Sequence, residues 1–172
     1  MWEIREERPS DAAAIDALVE RSFGPGRYAK SAYRLREGVD PEAGLSFVAT
    51  EDGALRGSNR FWPVIVGDTR ALLLGPLAVE TERRGRGMGI QLMQKGIDEA
   101  RARGHRVMIL VGDLPYYQRV GFVAVKRGRI TMPGCSMIIF PDCPPRASFP
   151  RSRLARWATA ASRTATRRRL HC

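Results

Sequence analysis

Apolar positions in this chain recur with a period of two, then of three to four, and the exchange between those periods continues to about residue 130. Trp2 to Glu6 alternates and predicts an opening strand. Pro9-Ser10-Asp11 then starts a helix, with Ser10 or Asp11 as its cap and Ile15, Leu18, Val19 and Phe23 on one face. Gly24-Pro25-Gly26 ends it. A second short helical stretch, Tyr28 to Arg36, sets Ala32, Tyr33 and Leu35 among charges and stops at Gly38. A β-rich section follows: Leu45 to Thr50, a hairpin turn at Glu51-Asp52-Gly53, and Leu55 to Val66 with Phe61, Pro63 and Ile65 facing one way. Gly67-Asp68 turns the chain again, and Arg70 to Val79 reads as a buried central strand. A helix is predicted from about Gly87 to Arg103, with Ile90, Met93, Ile97 and Ala100 inward and Gly104 at its C′ position. Val107 to Val111 is a second buried strand. Strands and helices thus mix within one domain of the α/β class, with no internal repeat.

The junction between the central strand and the long helix carries the first chemical signal. Leu77-Ala-Val-Glu-Thr-Glu-Arg-Arg-Gly-Arg-Gly-Met-Gly-Ile90 passes from strand through a glycine-rich turn into the helix. The first N–H groups of a helix have no intrahelical partner, and the helix dipole adds positive potential there, so such a junction is an anion cradle. Gly85, Gly87 and Gly89 let a bulky anion approach the backbone, and Arg84 and Arg86 add positive charge. The P-loop pattern fails, because no Gly-Lys-Ser/Thr follows. The dinucleotide pattern fails because Ile90 stands where its third glycine belongs and no acid ends a strand some 20 residues later.

What remains, Arg84-x-x-Gly87-x-Gly89, resembles the signature of the GNAT superfamily of acyl-CoA N-acyltransferases, Gln/Arg-x-x-Gly-x-Gly/Ala between a central strand and a long helix. Tyr117-Gln-Arg-Val-Gly121-Phe122 is similar to the Tyr-x-x-x-Gly-Phe segment after the next strand of many such enzymes. It lies 28 residues beyond Gly89, room for one helix, one strand and a turn. Gly75-Pro-Leu-Ala-Val79 and Leu110-Val-Gly-Asp-Leu-Pro-Tyr-Tyr117 resemble a bacterial subgroup, the YhbS-like N-acetyltransferases. Many members carry an Asn after the second central strand; Gly112-Asp113-Leu-Pro shortens that segment here and leaves the role of Asp113 open.

The resemblance implies a GNAT fold: a central mixed, mostly antiparallel sheet of about six or seven strands, splayed between the fourth and fifth, flanked by about four helices. It implies acetyl-CoA as co-substrate, with no metal, and transfer of its acetyl group to a primary amine of a small molecule or protein by direct attack in a ternary complex. Leu77, Ala78, Val79, Arg84, Gly85, Arg86, Gly87, Met88 and Gly89 would bind the cofactor: the turn takes the pyrophosphate, and backbone groups of Leu77 and Val79 take the pantetheine arm. Tyr117 would protonate the departing thiolate, and Tyr116, adjacent, either packs beside it or exchanges roles with it. The amine must arrive neutral, and Glu80 is the candidate base, with Glu82 behind it. Arg60 and Trp62 lie on a strand that borders the amine pocket.

Charge changes the picture only at the end of the chain. Of 29 basic and 18 acidic residues, 17 of each fall in residues 1–113, and 12 basic residues face one acid, Asp142, in residues 114–172. The expected domain therefore spans 1–145, with an Arg-rich tail over 146–172. Cys135 to Phe140 predicts an edge strand before it. In helical projection Leu154, Trp157, Ala158, Ala161 and Ala165 share one face of the tail, opposite Arg153, Arg156, Arg163 and Arg167. A basic amphipathic helix could touch nucleic acid, anionic membrane or an acidic partner; a solvated, partly disordered tail is the bland reading. Translation of a GC-rich gene in a shifted frame would also yield arginine, proline and cysteine without acids, and the nucleotide sequence decides that. The second function class is accordingly a non-catalytic GNAT-fold module that binds nucleic acid or anionic surfaces through the tail. A homodimer is also open. Cys135, Cys143 and Cys172 fit no zinc spacing and read as reduced thiols. A charged N-terminus and the lack of any apolar run near 18 residues point to a cytoplasmic protein.

Overall fold

The computed structural model describes residues 1–29, 31–125 and 138–140, and the backbone of 157–159. The chain runs through β1 (Glu3–Glu6), α1 (Ala12–Phe23), α2 (Ser31–Arg34), β2 (Ser46–Glu51), β3 (Ala54–Val66), β4 (Thr69–Val79), α3 (Met88–Ala102), β5 (Met108–Leu110), α4 (Leu114–Gln118), β6 (Val123–Ala124), β7 (Ile138–Phe140) and β8 (Trp157–Thr159). Seven strands form one sheet in the order β1-β2-β3-β4-β5-β7-β6, and β8 adds to β3. Neighbours are antiparallel except β4 and β5, which run parallel. This is the mixed, mostly antiparallel sheet that the resemblance implies, with a splay between the fourth and fifth strands.

Two features of the long hairpin create that splay. β4 pairs with β5 only at Leu72↔Met108 and Leu73↔Ile109, so everything after that has no β5 partner. Opposite β3, the register passes from Asn59↔Leu77 to Phe61↔Leu74, so β4 spends three residues where β3 spends two. That bulge lies at Gly75-Pro76 and inverts the alternation of the strand. Leu72 and Leu74 face the main core before it, and Leu77 and Val79 pack on the same core after it.

The main core lies between the sheet and α3. Met88, Leu92, Met93, Ile97 and Ala100 are buried there against Phe47, Ala49, Phe61 and Leu74. Burial of each large side chain removes apolar surface worth about 1.5–3 kcal/mol from water. Gly96 permits the close approach, since a Cβ on it would stand 2.3 Å from Cε2 of Phe61. Gly104 (φ 83°) closes α3 in a Schellman turn, the His105 N–H donating to the Ala100 carbonyl at 2.9 Å. On the other face α1 buries Ile15, Leu18 and Val19 against Val48 and Ala78, and Leu35 and Trp62 pack on Val64, Val66, Leu73 and Ile109.

Several sequence expectations are corrected here. Asp11 stands at the N-cap of α1 as expected, but its side chain makes no capping bond to the helix; its carboxylate accepts from both Nη atoms of Arg5 (2.7 and 2.9 Å) and from the Arg8 N–H (2.7 Å). Phe23, expected on the buried face of α1, stays 41% exposed. Leu92 and Met88, rather than Ile90, complete the inner face of α3; Ile90 is half-buried. Ile138–Phe140 is not an edge: β7 lies between β5 and β6, where it satisfies ladder groups on both sides. Residues 157–159 form a strand and not a helix. β2 covers β3 only from Ala54 to Arg60, and β8 takes the edge left open at Val64–Val66. The remainder of the 146–172 tail lies outside the described residues, as do Cys135, Cys143 and Cys172. No helix among the described residues is long and apolar enough to cross a membrane.

Candidate active site

A cleft of about 330 Å³ opens where β4 and β5 part. Its floor is the end of β4, its head the turn before α3, and its far wall α4. Leu77, Ala78, Val79, Arg84, Gly85, Gly87, Met88, Gly89 and Tyr117 all line it, so most of the expected cofactor residues converge.

The head of the cleft is backbone. Gly85 (φ 76°) and Gly87 (φ 92°) hold left-handed conformations that open the turn, and a Cβ on either would meet nothing within 4 Å. Gly87 is the N-cap of α3, and the Gln91 N–H closes the first turn on its carbonyl at 3.0 Å. The N–H groups of Met88, Gly89 and Ile90 therefore face outward without intrahelical partners. No acidic side chain stands in that turn. Around it Arg83 is tied to Glu51 (2.5 Å), Arg84 donates from Nε to the Val79 carbonyl (3.1 Å), and Arg86 stacks on Trp2, 5.8 Å from the ring centre. Arg86 thus does not line the cleft as expected; its guanidinium is drawn to the indole face at the rim.

The edge of β4 is the floor. The Glu80 N–H donates to the Arg56 carbonyl on β3 at 2.8 Å. By strand alternation the polar groups of Val79 and Leu77 then point away from β3, into the gap left by β5. The Arg84 bond to the Val79 carbonyl lies on that open side.

The far wall is aromatic. Tyr116 and Tyr117 meet edge to face at 5.3 Å, and Tyr117 continues to Phe122 at 6.2 Å and Phe122 to Phe140 at 5.2 Å. Tyr117 is thus both a packed aromatic and a cleft residue. Its ring lies on Gly112, where a Cβ would come within 2.3 Å of Cε2. Burial, reinforced by the neighbouring Tyr116, pushes the Tyr117 phenol up to about 12, with the Arg36 guanidinium opposing. Burial also raises Tyr116. The Tyr116 hydroxyl stands over the start of α3, 2.4 Å from where a Gly89 Cβ would be.

Glu80 is not brought to the cleft. Its carboxylate meets Arg21 at 3.2 Å and Arg56 at 3.6 Å, tying the end of β4 to α1 and β3. Sequence reasoning also missed Ser22, Phe23, Arg83, Ile90 and Arg119 on the lining. Phe23 and Ile90 carried a signal, as apolar residues at the margins of helical stripes. Arg60 and Trp62 do border a second cavity of about 290 Å³, on the α1 and α2 side of β4. There Arg60 is locked to Glu7 by two bonds of 2.5 and 2.7 Å, and the Trp62 Nε1–H donates to the Gly75 carbonyl at 2.6 Å.

Comparison with known proteins agrees with this architecture. The profile of the Acetyltransferase (GNAT) family matches residues 12–122. An uncharacterized N-acetyltransferase of Escherichia coli K12, YhbS, is 40% identical over 122 residues, covering 69% of this chain and 72% of the relative. A crystal structure of E. coli YhbS in complex with CoA superposes with a TM-score of 0.69 at 32% identity, covering 83% of this chain and 82% of that one. A GNAT acetyltransferase from Brucella melitensis in complex with acetyl-CoA gives a TM-score of 0.65 at 34% identity, over 84% and 92% of the two chains. With the glycine turn, the splayed strands and the tyrosine wall all in place, this chain belongs to the GNAT family of acetyltransferases.

Proposed function

We propose that the protein transfers the acetyl group of acetyl-CoA to a primary amine, by direct attack while both substrates are bound. The observation that carries the reading is the open backbone turn of Gly85 and Gly87 at the head of a cleft whose floor is an unpaired strand edge. Both parts suit the cofactor: outward N–H groups for its pyrophosphate, and a free ladder edge for its amide-bearing arm. Acetyl-CoA supplies an activated thioester. Met88, Gly89 and Ile90 offer their N–H groups to the pyrophosphate, Arg84 adds charge from the lining, and Arg86 contributes only from the rim beside Trp2. Leu77 and Val79 hold the arm by their backbone, with the Arg84 side chain giving up the Val79 carbonyl. The Val79 N–H, on the open side of the strand, is the donor available to the oxyanion. Tyr117, kept protonated by burial, gives its phenolic proton to the sulfur as the C–S bond breaks. Glu80, bound by Arg21 and Arg56, braces the end of β4, and the proton of the amine leaves through water.

Calorimetric titration of acetyl-CoA into the protein and into Gly87→Glu tests the cradle. The native chain is expected to bind in the micromolar range. The variant places bulk and negative charge among the outward N–H groups and is expected to bind at least about a hundredfold more weakly. Equal binding by both folded proteins would remove the cradle from the cofactor site.

A further inference from the structure

The second cavity contains a charge that the reaction as described does not use. Its lining includes Asp16, Tyr28, Tyr33, Arg36, Trp62 and Pro76. Most arginines around it have partners: Arg60 is held by Glu7, and Arg27 by Glu20, by the Gly24 carbonyl and by the hydroxyls of Tyr28 and Tyr33. Arg36 is different. Its Nε is sealed from solvent with no hydrogen-bond partner, and among the described residues no carboxylate pairs with it. The guanidinium rests 5.6 Å from the Tyr33 ring centre and 5.9 Å from that of Trp62, with Nη2 over Gly75, 3.1 Å from where a Cβ would stand. Burial pushes its pKa down to about 10, which leaves it charged at neutral pH.

A largely buried guanidinium with no paired anion is costly, and an apolar side chain of similar size in its place removes that cost. Retaining it is intelligible if a ligand supplies the anion. The planar fork of arginine matches a carboxylate, and the aromatic walls keep water from competing. The position is also telling. Arg36 sits over the β4 bulge, where Pro76 faces this cavity and Leu77 the cofactor cleft, and its charge is felt at Tyr117. Asp16 and Glu37, on the same lining, can receive an ammonium group.

We propose that this cavity is the acceptor seat and that the acceptor is a small amine that also carries a carboxylate, an amino-acid-sized molecule whose carboxylate is gripped by Arg36. The inference rests on the acetyltransferase reading above and specifies its second substrate. The cavity volume suits one such molecule.

Two measurements on the full chain test it, with Arg36→Met and Arg36→Lys as variants and their melting temperatures as a check on folding. The first is calorimetric titration with phenylacetate, which has the carboxylate and no amine. Binding is expected to the native protein, to be lost in Arg36→Met and to be weakened in Arg36→Lys. The Arg36→Met protein is expected to melt no lower than native, the opposite of what a merely structural arginine would give. The second is thiol release from acetyl-CoA with matched acceptors, phenylalanine against phenethylamine and leucine against 3-methylbutylamine. The carboxylate-bearing member of each pair is expected to show at least a tenfold lower KM, and Arg36→Met to erase the difference. Failure of phenylacetate to bind, equal KM values within the pairs, or a difference that survives Arg36→Met would overturn the proposal while transfer to amines still stood. Phenylacetate binding that depends on Arg36, in a protein that binds acetyl-CoA yet releases thiol with no amine, would overturn the assignment of the cavity as the acceptor seat. Absence of acetyl-CoA binding would instead strike the acetyltransferase reading itself.

Discussion

The two cavities flank the same few residues of β4 and are built from opposite materials. The cofactor cleft is made mostly of backbone: N–H groups at the start of α3, a strand edge, and glycines that keep both accessible. The acceptor cavity is made of side chains from α1, the turn at Tyr28, α2 and the segment after it, β3 and β4. A backbone site depends on a short run of sequence, tolerates many neighbours and suits a ligand that never changes. A side-chain site assembles residues far apart in the chain, and each can be exchanged without moving the scaffold. One half of the molecule is therefore fixed by geometry and the other free to be tuned.

Tyr117, on the wall of the cofactor cleft, is the most severe place to break this division. Tyr117→Phe keeps the aromatic ladder and removes one proton, and kcat is expected to fall about a hundredfold with little change in acetyl-CoA affinity. Its pKa is raised to about 12, so the donor stays protonated through the alkaline range and the loss of activity it would cause lies above pH 10. An alkaline limb below pH 10 that vanishes in Tyr117→Phe would show that the burial assigned to this phenol is wrong. Gly112→Ala asks a related question from the backbone side. Its Cβ would intrude on the Tyr117 ring, which Tyr116 and Phe122 hold in place, and a loss of about 1–3 kcal/mol in stability with misplacement of the hydroxyl is expected, read by denaturant unfolding and thiol release. If Gly112→Ala were as stable and active as native, the ring would not be fixed by its surroundings.

The smallest effect is expected far from both cavities. Arg5 and the Arg8 N–H hold the Asp11 carboxyl down at about 2, below its ordinary 3.8. A depressed folded-state pKa contributes stability that is complete above the ordinary value and disappears as pH falls toward 2. Asp11→Asn should lower the melting temperature modestly at pH 7, the gap narrowing from about pH 4 toward pH 2, with acetyl-CoA affinity unchanged. A shift in that affinity would mean that the first loop communicates with the cleft.

The division also explains what could be read from the chain unaided. Arg84, Gly85, Gly87 and Gly89 with the stripe of α3 disclosed the cradle, because strand, turn and helix are contiguous and each has a local signature. Tyr117 was legible by its spacing to Gly121 and Phe122. Arg36 was not. It is one arginine among many, and its want of a partner depends on Glu7 having taken Arg60 and Glu20 having taken Arg27, pairings made only in three dimensions. Glu80 misled for the same reason, since its place at the end of β4 suggested a base while Arg21, distant in sequence, had already claimed it. The strand at Trp157–Thr159 was not legible either: the apolar spacing of the tail suggests a helix and its composition a solvated segment, and neither takes account of an open edge at Val64–Val66.

The extra residue in β4 makes this strand a counting device. Before Gly75-Pro76 the even positions Leu72 and Leu74 face α3; after it the odd positions Leu77 and Val79 do. Deleting either residue of the pair would turn every later side chain to the opposite face and rotate the free ladder groups back toward β3, though no residue of the cradle or the tyrosine wall had been altered. Segment length is thus a functional parameter here in its own right, and a library varied in length at this point would probe the enzyme along an axis that substitutions cannot reach.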